Sequence, residues 1–144
     1  MVAVDTNLLV YAHREDSAWH ARADQVVQTL AEGPAAWAIP WPCLYEFLAI
    51  VTHPRIYRPP TPMKDALLQV DHWLESPTLV LLHEGERFWE TAQTVISRSA
   101  VQGGAVHDAR VAALCLHHGV RTLLSADRDF SRFPALKTEN PLAR

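Results

Sequence analysis

Only two cysteines occur in the chain, Cys43 and Cys115, far apart and without metal-ligand spacing, so neither a disulfide framework nor a cysteine-built zinc site is on offer. Glycine is scarce, at five residues, and no segment repeats or falls into low complexity, which excludes collagen-like and disordered classes. No apolar run approaches the ~18 residues of a membrane-spanning helix, and Asp5 interrupts Met1-Val2-Ala3-Val4 too early for a signal peptide. A basic excess is missing as well: thirteen Lys and Arg stand against sixteen Asp and Glu, a net charge of −3 that argues weakly against a nucleic-acid partner. The expectation is a soluble cytoplasmic protein with reduced thiols and no membrane association.

What is present is enough apolar material for one core. Hydrophobic residues make up 49% of 144 residues and charged residues 20%, and a chain of this size can remove about 68–70% of its unfolded surface from water. Residues 1–144 are therefore read as a single domain. The charge is unevenly spread: Met1 to Ile50 carries two basic and six acidic residues, whereas Arg98 to Arg144 carries seven basic and four acidic. Neutralising four of the sixteen carboxylates with metal would leave twelve against thirteen cations, so the sign of the protein's field depends on whether a metal site exists.

The periodicity alternates between short apolar runs and amphipathic stretches. Val2-Ala3-Val4, Trp37-Ala38-Ile39, Thr78 to Leu82, Arg121 to Leu124 and Leu136-Lys137-Thr138 read as strands. Leu8 to Ala12, His20 to Ala31, Leu44 to Val51, Met63 to about Glu75, Arg87 to Arg98 and Val106 to His118 read as helices. Gly33-Pro34 stops one helix, Gly119 suits the position just past another, Thr61 is placed to cap the fourth, and His53 to cap the end of the third. Strands alternating with helices imply βαβ units and a parallel sheet covered on both faces. Ligands of such sheets bind outside the carboxyl ends of the strands, where strand order reverses.

That rule gives the acids their interest. Asp5 directly follows the first strand, and Asp127 comes three residues after Leu124. Glu46 lies on the helix after the second strand, and Asp108 in the first turn of the helix leading to the Leu124 strand. Each has an ordinary reading alone: Asp5 as an N-cap, Glu46 as an exposed helix residue, Asp108 as a partner of its helix dipole, Asp127 and Asp129 as turn caps. Together they can meet in one cleft.

The combination resembles the PIN domain, and more closely the VapC-type toxins of bacterial toxin–antitoxin pairs. Val4-Asp5-Thr6-Asn7 is similar to that family's opening motif, and the segment Pro42 to Pro54 around Glu46 to its glutamate segment. His107-Asp108-Ala109-Arg110 resembles the third motif and Leu124-Ser125-Ala126-Asp127-Arg128-Asp129-Phe130 the fourth. His107 and Ser125 stand where members more often carry threonine, and the Ser125 hydroxyl keeps the same hydrogen-bonding capacity. The resemblance implies a PIN-like α/β/α sandwich on a mainly parallel sheet of four to five strands. It implies an endoribonuclease dependent on Mg2+ or Mn2+ that leaves 5′-phosphate and 3′-hydroxyl ends, forms a homodimer, and is held inactive by a cognate VapB-type antitoxin.

Phosphodiester hydrolysis needs the non-bridging oxygens neutralised and a hydroxide delivered in line, and a hard divalent ion on carboxylates supplies both. Asp5, Glu46, Asp108 and Asp127 are expected to be the metal-holding and catalytic set. Thr6, Asn7 and Ser125 are expected to orient ligands or bound water, with Asp129 in reserve and better suited to capping the turn containing Phe130. Arg14, Arg55, Arg58, Arg110, Arg128 and Arg132 are candidates for phosphate contact, and Trp37, Trp41, Trp73 and Trp89 for the core or an interface. Adjacent His117 and His118 cannot share a helix face, and neither H-E-x-x-H nor Gly-x-Ser-x-Gly occurs, which sets zinc-protease and serine-hydrolase chemistry aside. The rival reading is an inactive PIN scaffold that only binds protein. An intact repulsive cluster of four acids argues against it.

Overall fold

A computed structural model describes residues 1–143. Five strands, β1 (Val2–Val4), β2 (Trp37–Pro40), β3 (Leu79–Leu82), β4 (Thr122–Leu124) and β5 (Lys137–Glu139), form one sheet in the order β3-β2-β1-β4-β5. Every pairing is parallel, with Val2 beside both Trp37 and Thr122. Helices α1 (Thr6–His13) and α2 (His20–Glu32) link β1 to β2, and α3 (Trp41–Val51) and α4 (Met63–Leu74) link β2 to β3. Helices α5 (Phe88–Ser99) and α6 (Ala105–His117) return the chain to β4, and a short 3-10 turn, Arg128–Arg132, leads into β5.

The order of strands dictates the layers. From β1 the chain steps outward to β2 and β3, then crosses back over β1 to reach β4. Right-handed crossovers therefore put α1 to α4 on one face of the sheet and α5 and α6 on the other. The packing agrees: α1 lies against α2 and α3, α3 against α4, and α5 against α6. Ala3, Val4, Trp37, Ala38, Ile39, Leu123 and Leu124 of the inner strands are buried, as a sheet covered on both faces requires. Strand order reverses between β1 and β4, and the Asp5 amide donates to the Leu124 carbonyl there at 3.0 Å.

Helix ends explain where the sequence reading and the structure part. Helix α6 finishes in a Schellman turn: Val120 donates to Cys115 (2.8 Å), Gly119 donates to Leu116 (3.2 Å), and Gly119 takes φ +74°, the left-handed region expected of it. Helix α3 begins at Trp41, three residues before the apolar pattern becomes legible, because Pro42 is tolerated in a first turn whose amides have no partners anyway. Thr61 does not cap α4. Pro62 occupies that position, and the buried Thr61 hydroxyl meets His13 Nε2 (3.1 Å) and Arg14 Nη1 (3.2 Å), tying the connector to α1. Nor does the His53 ring cap α3: its Nδ1 accepts from the Arg55 amide at 3.1 Å and organises the turn that follows. Among the described residues, no helix is long and apolar enough to cross a membrane.

Candidate active site

The carboxyl ends of β1 and β4 deliver Asp5 and Ser125 side by side. Asp5 is the N-cap of α1, and its Oδ1 accepts from the Thr6 amide at 2.8 Å. Its Oδ2 accepts from the Ser125 hydroxyl at 2.7 Å, and the Cys43 thiol from α3 points at Oδ1 at 3.6 Å. Only 6% of Asp5 is exposed. Burial pushes its carboxyl above the ordinary value of 3.8, and the hydrogen bonds from Ser125, Thr6 and Cys43 pull partly the other way. Asp5 thus caps α1 from the carboxyl end of β1.

Ser125 is the hub that joins the two strand ends. Its Oγ donates to Asp5 and accepts from Asn7 Nδ2 (3.2 Å) and from the Asp127 amide (3.0 Å). Asn7 Oδ1 in turn accepts from the Ala126 amide at 3.1 Å. Asn7 and Ser125 therefore tie the Asp5 side chain to the backbone of residues 126–127. Thr6 differs: its buried hydroxyl faces the Cys43 thiol and makes no regular hydrogen bond within the described residues.

The remaining acids arrive from α6 and the 3-10 turn. Asp108, Asp127 and Asp129 each offer a carboxylate oxygen within 4.8 Å of the others. Asp127 is itself the cap of the 3-10 turn, accepting from the Asp129 amide at 2.8 Å, so the role foreseen for Asp129 belongs to Asp127. That bond leaves the Asp129 carboxylate beside Asp108. Asp5 and Glu46 are outside this triad but feel it. Partial burial raises the Glu46 carboxyl above 4.5, and Asp5, Asp108 and Asp127 push it further up while His107 opposes them. Asp108 is likewise raised from 3.8, by partial burial first and then by Asp127, Asp5 and Asp129, with Arg132 opposing. Five acids from four elements thus form one field around the switch point.

This donor set is all hard oxygen and strongly like-charged, which fits a Mg2+- or Mn2+-sized cation and disfavours soft metals. Of the arginines considered for phosphate contact, Arg14 is committed to Asp16 and stacked over Tyr57, and Arg110 is paired with Glu84. The charge of Arg132 reaches Asp108. Cys43, beside Asp5, carries little sign of that position in the sequence. Its only sequence signal is its place three residues before Glu46 in the first turn of a helix that leaves β2.

The raised carboxyls set a pH dependence. Without a cation, Asp5, Glu46 and Asp108 hold protons more tightly when folded than when unfolded, so their protonation favours the fold. That stabilisation is complete below the unfolded values of 3.8–4.5 and is lost as pH rises through the higher folded values. A divalent cation supplies the missing compensation only once the acids are ionised. At a cation concentration tenfold above Kd, Mn2+ is expected to raise Tm by about 3–6 °C at pH 7.5 and scarcely at pH 4.5. Differential scanning calorimetry at both pH values checks this, and equal shifts would place the binding elsewhere.

Comparison with known proteins agrees with the layout. A family profile described as the PIN domain matches residues 2–136. Ribonuclease VapC43 of Mycobacterium tuberculosis is 37% identical over 142 residues, spanning 99% of this chain and 96% of its own. Among solved structures, VapBC2 from Rickettsia felis, bound to a DNA fragment from its promoter, superposes with a TM-score of 0.69 at 19% identity, covering 97% of this chain and 98% of that one. The sarcin-ricin-loop-cleaving toxin VapC20 of Mycobacterium tuberculosis does so at 0.66 and 20% identity, covering 91% and 93%.

Proposed function

This chain belongs to the PIN-domain family, and from that premise we propose that it is a divalent-metal-dependent endoribonuclease, the toxin of a toxin–antitoxin pair acting in the cytoplasm. The observation that supports the reading is the triad Asp108, Asp127 and Asp129, whose carboxylate oxygens lie within 4.8 Å of one another, with Asp5 and Glu46 close enough to feel its charge. The relatives' names as ribonucleases supply the reaction class.

Asp108, Asp127 and Asp129 are the residues best placed to hold Mg2+, with Mn2+ as a substitute, and Asp5 and Glu46 to complete the site. The ion, when bound, neutralises the phosphate oxygens and acidifies its water. The chain's own part is to keep the ligands in place. Ser125 and Asn7 hold Asp5 and the Asp127 backbone in one arrangement, and the 3-10 turn aims Asp129 at Asp108. Arg132 offsets part of the acidic field on the side where a polyanion must approach.

A VapB-type antitoxin and a second copy of the chain are the protein partners this reading calls for. Leu67 and Leu68 of α4, 48% and 56% exposed, offer apolar surface for such contacts. The experiment is cleavage of a single-stranded RNA by the purified protein. Cleavage on addition of Mg2+ or Mn2+, and none in EDTA, is expected. RNA left intact under every divalent ion would favour the inactive, protein-binding scaffold instead.

A further inference from the structure

Beside the acids, Trp41, Pro42, Tyr45, Glu46, His107 and Arg110 enclose a recess of about 230 Å3. It is built by the unexpected early start of α3: Pro40 ends β2, Trp41 begins the helix, and Tyr45 follows one turn later on the same side. The sequence pattern assigns Trp41 to a core or interface together with Trp37 and Trp73. Those two are buried, but Trp41 is 36% and Tyr45 68% exposed. Their ring centroids lie 6.3 Å apart with planes tilted by 40°, so they form an open wedge rather than a closed stack.

The chemistry of the recess says which part of a ligand enters it. Arg110, its one arginine, is already paired with Glu84, and Glu46 puts a carboxylate on the wall. A phosphate gains little there, whereas a neutral, flat, aromatic group gains two ring faces. The volume is below the roughly 300–1,000 Å3 of pockets that engulf a drug-sized ligand, and suits one base better than a duplex. Glu46 belongs both to this recess and to the acidic field, so whatever reacts at the acids lays its neighbouring unit across the wedge.

We infer that Trp41 and Tyr45 form a stacking platform for an unpaired nucleobase next to the scissile phosphate. This rests on the ribonuclease reading above. Stacking on an aromatic side chain tolerates any base and requires that base to be unstacked from its neighbours, which selects against helical RNA. His107, on the opposite wall, can hydrogen-bond a base edge and so add a preference among bases.

The test is binding of a fluorescein-labelled 12-nucleotide single-stranded RNA, read by anisotropy in Mn2+, with Asp5→Asn as the background so that the probe stays whole. Tyr45→Ala and Trp41→Ala are each expected to weaken binding about tenfold or more, and Trp41→Phe to stay within about threefold of the parent. Tyr45 is exposed enough that its truncation leaves the fold intact, which unchanged Tm verifies. An RNA duplex of the same sequence is expected to bind at least tenfold more weakly than the single strand. Unchanged affinity in both alanine variants, or equal affinity for duplex and single strand, overturns the platform. So does a face whose truncation releases a co-purified antitoxin while RNA binding persists. If instead the variants lose RNA affinity but the wild-type protein cleaves nothing with any divalent ion, the platform stands and the ribonuclease reading falls.

Discussion

Asp108→Asn is expected to lower RNA cleavage by about two to three orders of magnitude, in line with removal of one group that stabilises a charged transition state, while raising the Tm of the cation-free protein by about 1–4 °C. The two effects have opposite signs because a carboxylate that would serve a cation is a burden to the cation-free protein. Asp108 is the cleanest place to see this, since its carboxylate accepts no hydrogen bond from the described residues that the change would break. Partial burial together with Asp127, Asp5 and Asp129 already raises its carboxyl, so the charged form is the unfavourable one. A competing term exists. Asp108 lies in the first turn of α6, where a negative charge gains about 0.3–1 kcal/mol from the helix dipole. Burial and the three neighbouring acids push its carboxyl the opposite way.

Asp129→Asn is expected to follow Asp108→Asn rather than behave as a loop substitution, because its carboxylate stands free of the capping duty that Asp127 performs. Activity is measured with saturating Mn2+ and stability in EDTA. A variant that loses both would show Asp108 to be structural, and one that keeps full activity would remove it from the site.

How far the sequence exposes such a site follows from what kind of interaction makes each part. The alternation of strands and helices is written in apolar spacing, so all five strands are readable, and the acids at their ends become readable with them. Contacts made by geometry within a few residues are not. Asp127 and Asp129 sit in one 3-10 turn, and which of them caps it is set by backbone angles that the letters do not carry. The Trp41–Tyr45 pair has the i, i+4 spacing of a buried stripe, and nothing in the pattern reveals that α3 turns this side outward while Cys43, Leu44 and Phe47 face in. Pro40 and Pro42 add to the concealment. They look like a boundary, whereas one ends β2 and the other fits the first turn of α3.

Ser125→Ala is expected to weaken Mn2+ binding by about 10- to 100-fold, the usual cost of losing a group that orients metal ligands, without replacing any residue proposed to hold the ion. The argument is one of hydrogen-bond capacity. The hydroxyl has one proton, given to Asp5, and two lone pairs, taken by Asn7 and the Asp127 amide. All of its capacity is used, in a position only 2% exposed. Alanine leaves the Asp5 Oδ2 with the weak 3.4 Å contact to Asn7, takes the better acceptor from Asn7 Nδ2, and strands the Asp127 amide. Each buried group left unpaired costs about 1–3 kcal/mol, so Tm falls as well, which Asp108→Asn does not do. Ser125→Thr retains the hydroxyl and is expected to keep Mn2+ affinity within about threefold of wild type even where its added methyl lowers Tm, separating the hydrogen bonds from the packing. Isothermal titration with Mn2+ decides the matter. Wild-type affinity in Ser125→Ala would mean that Asp5 needs no help to hold its place, and that the network joining β1 to β4 serves the fold alone.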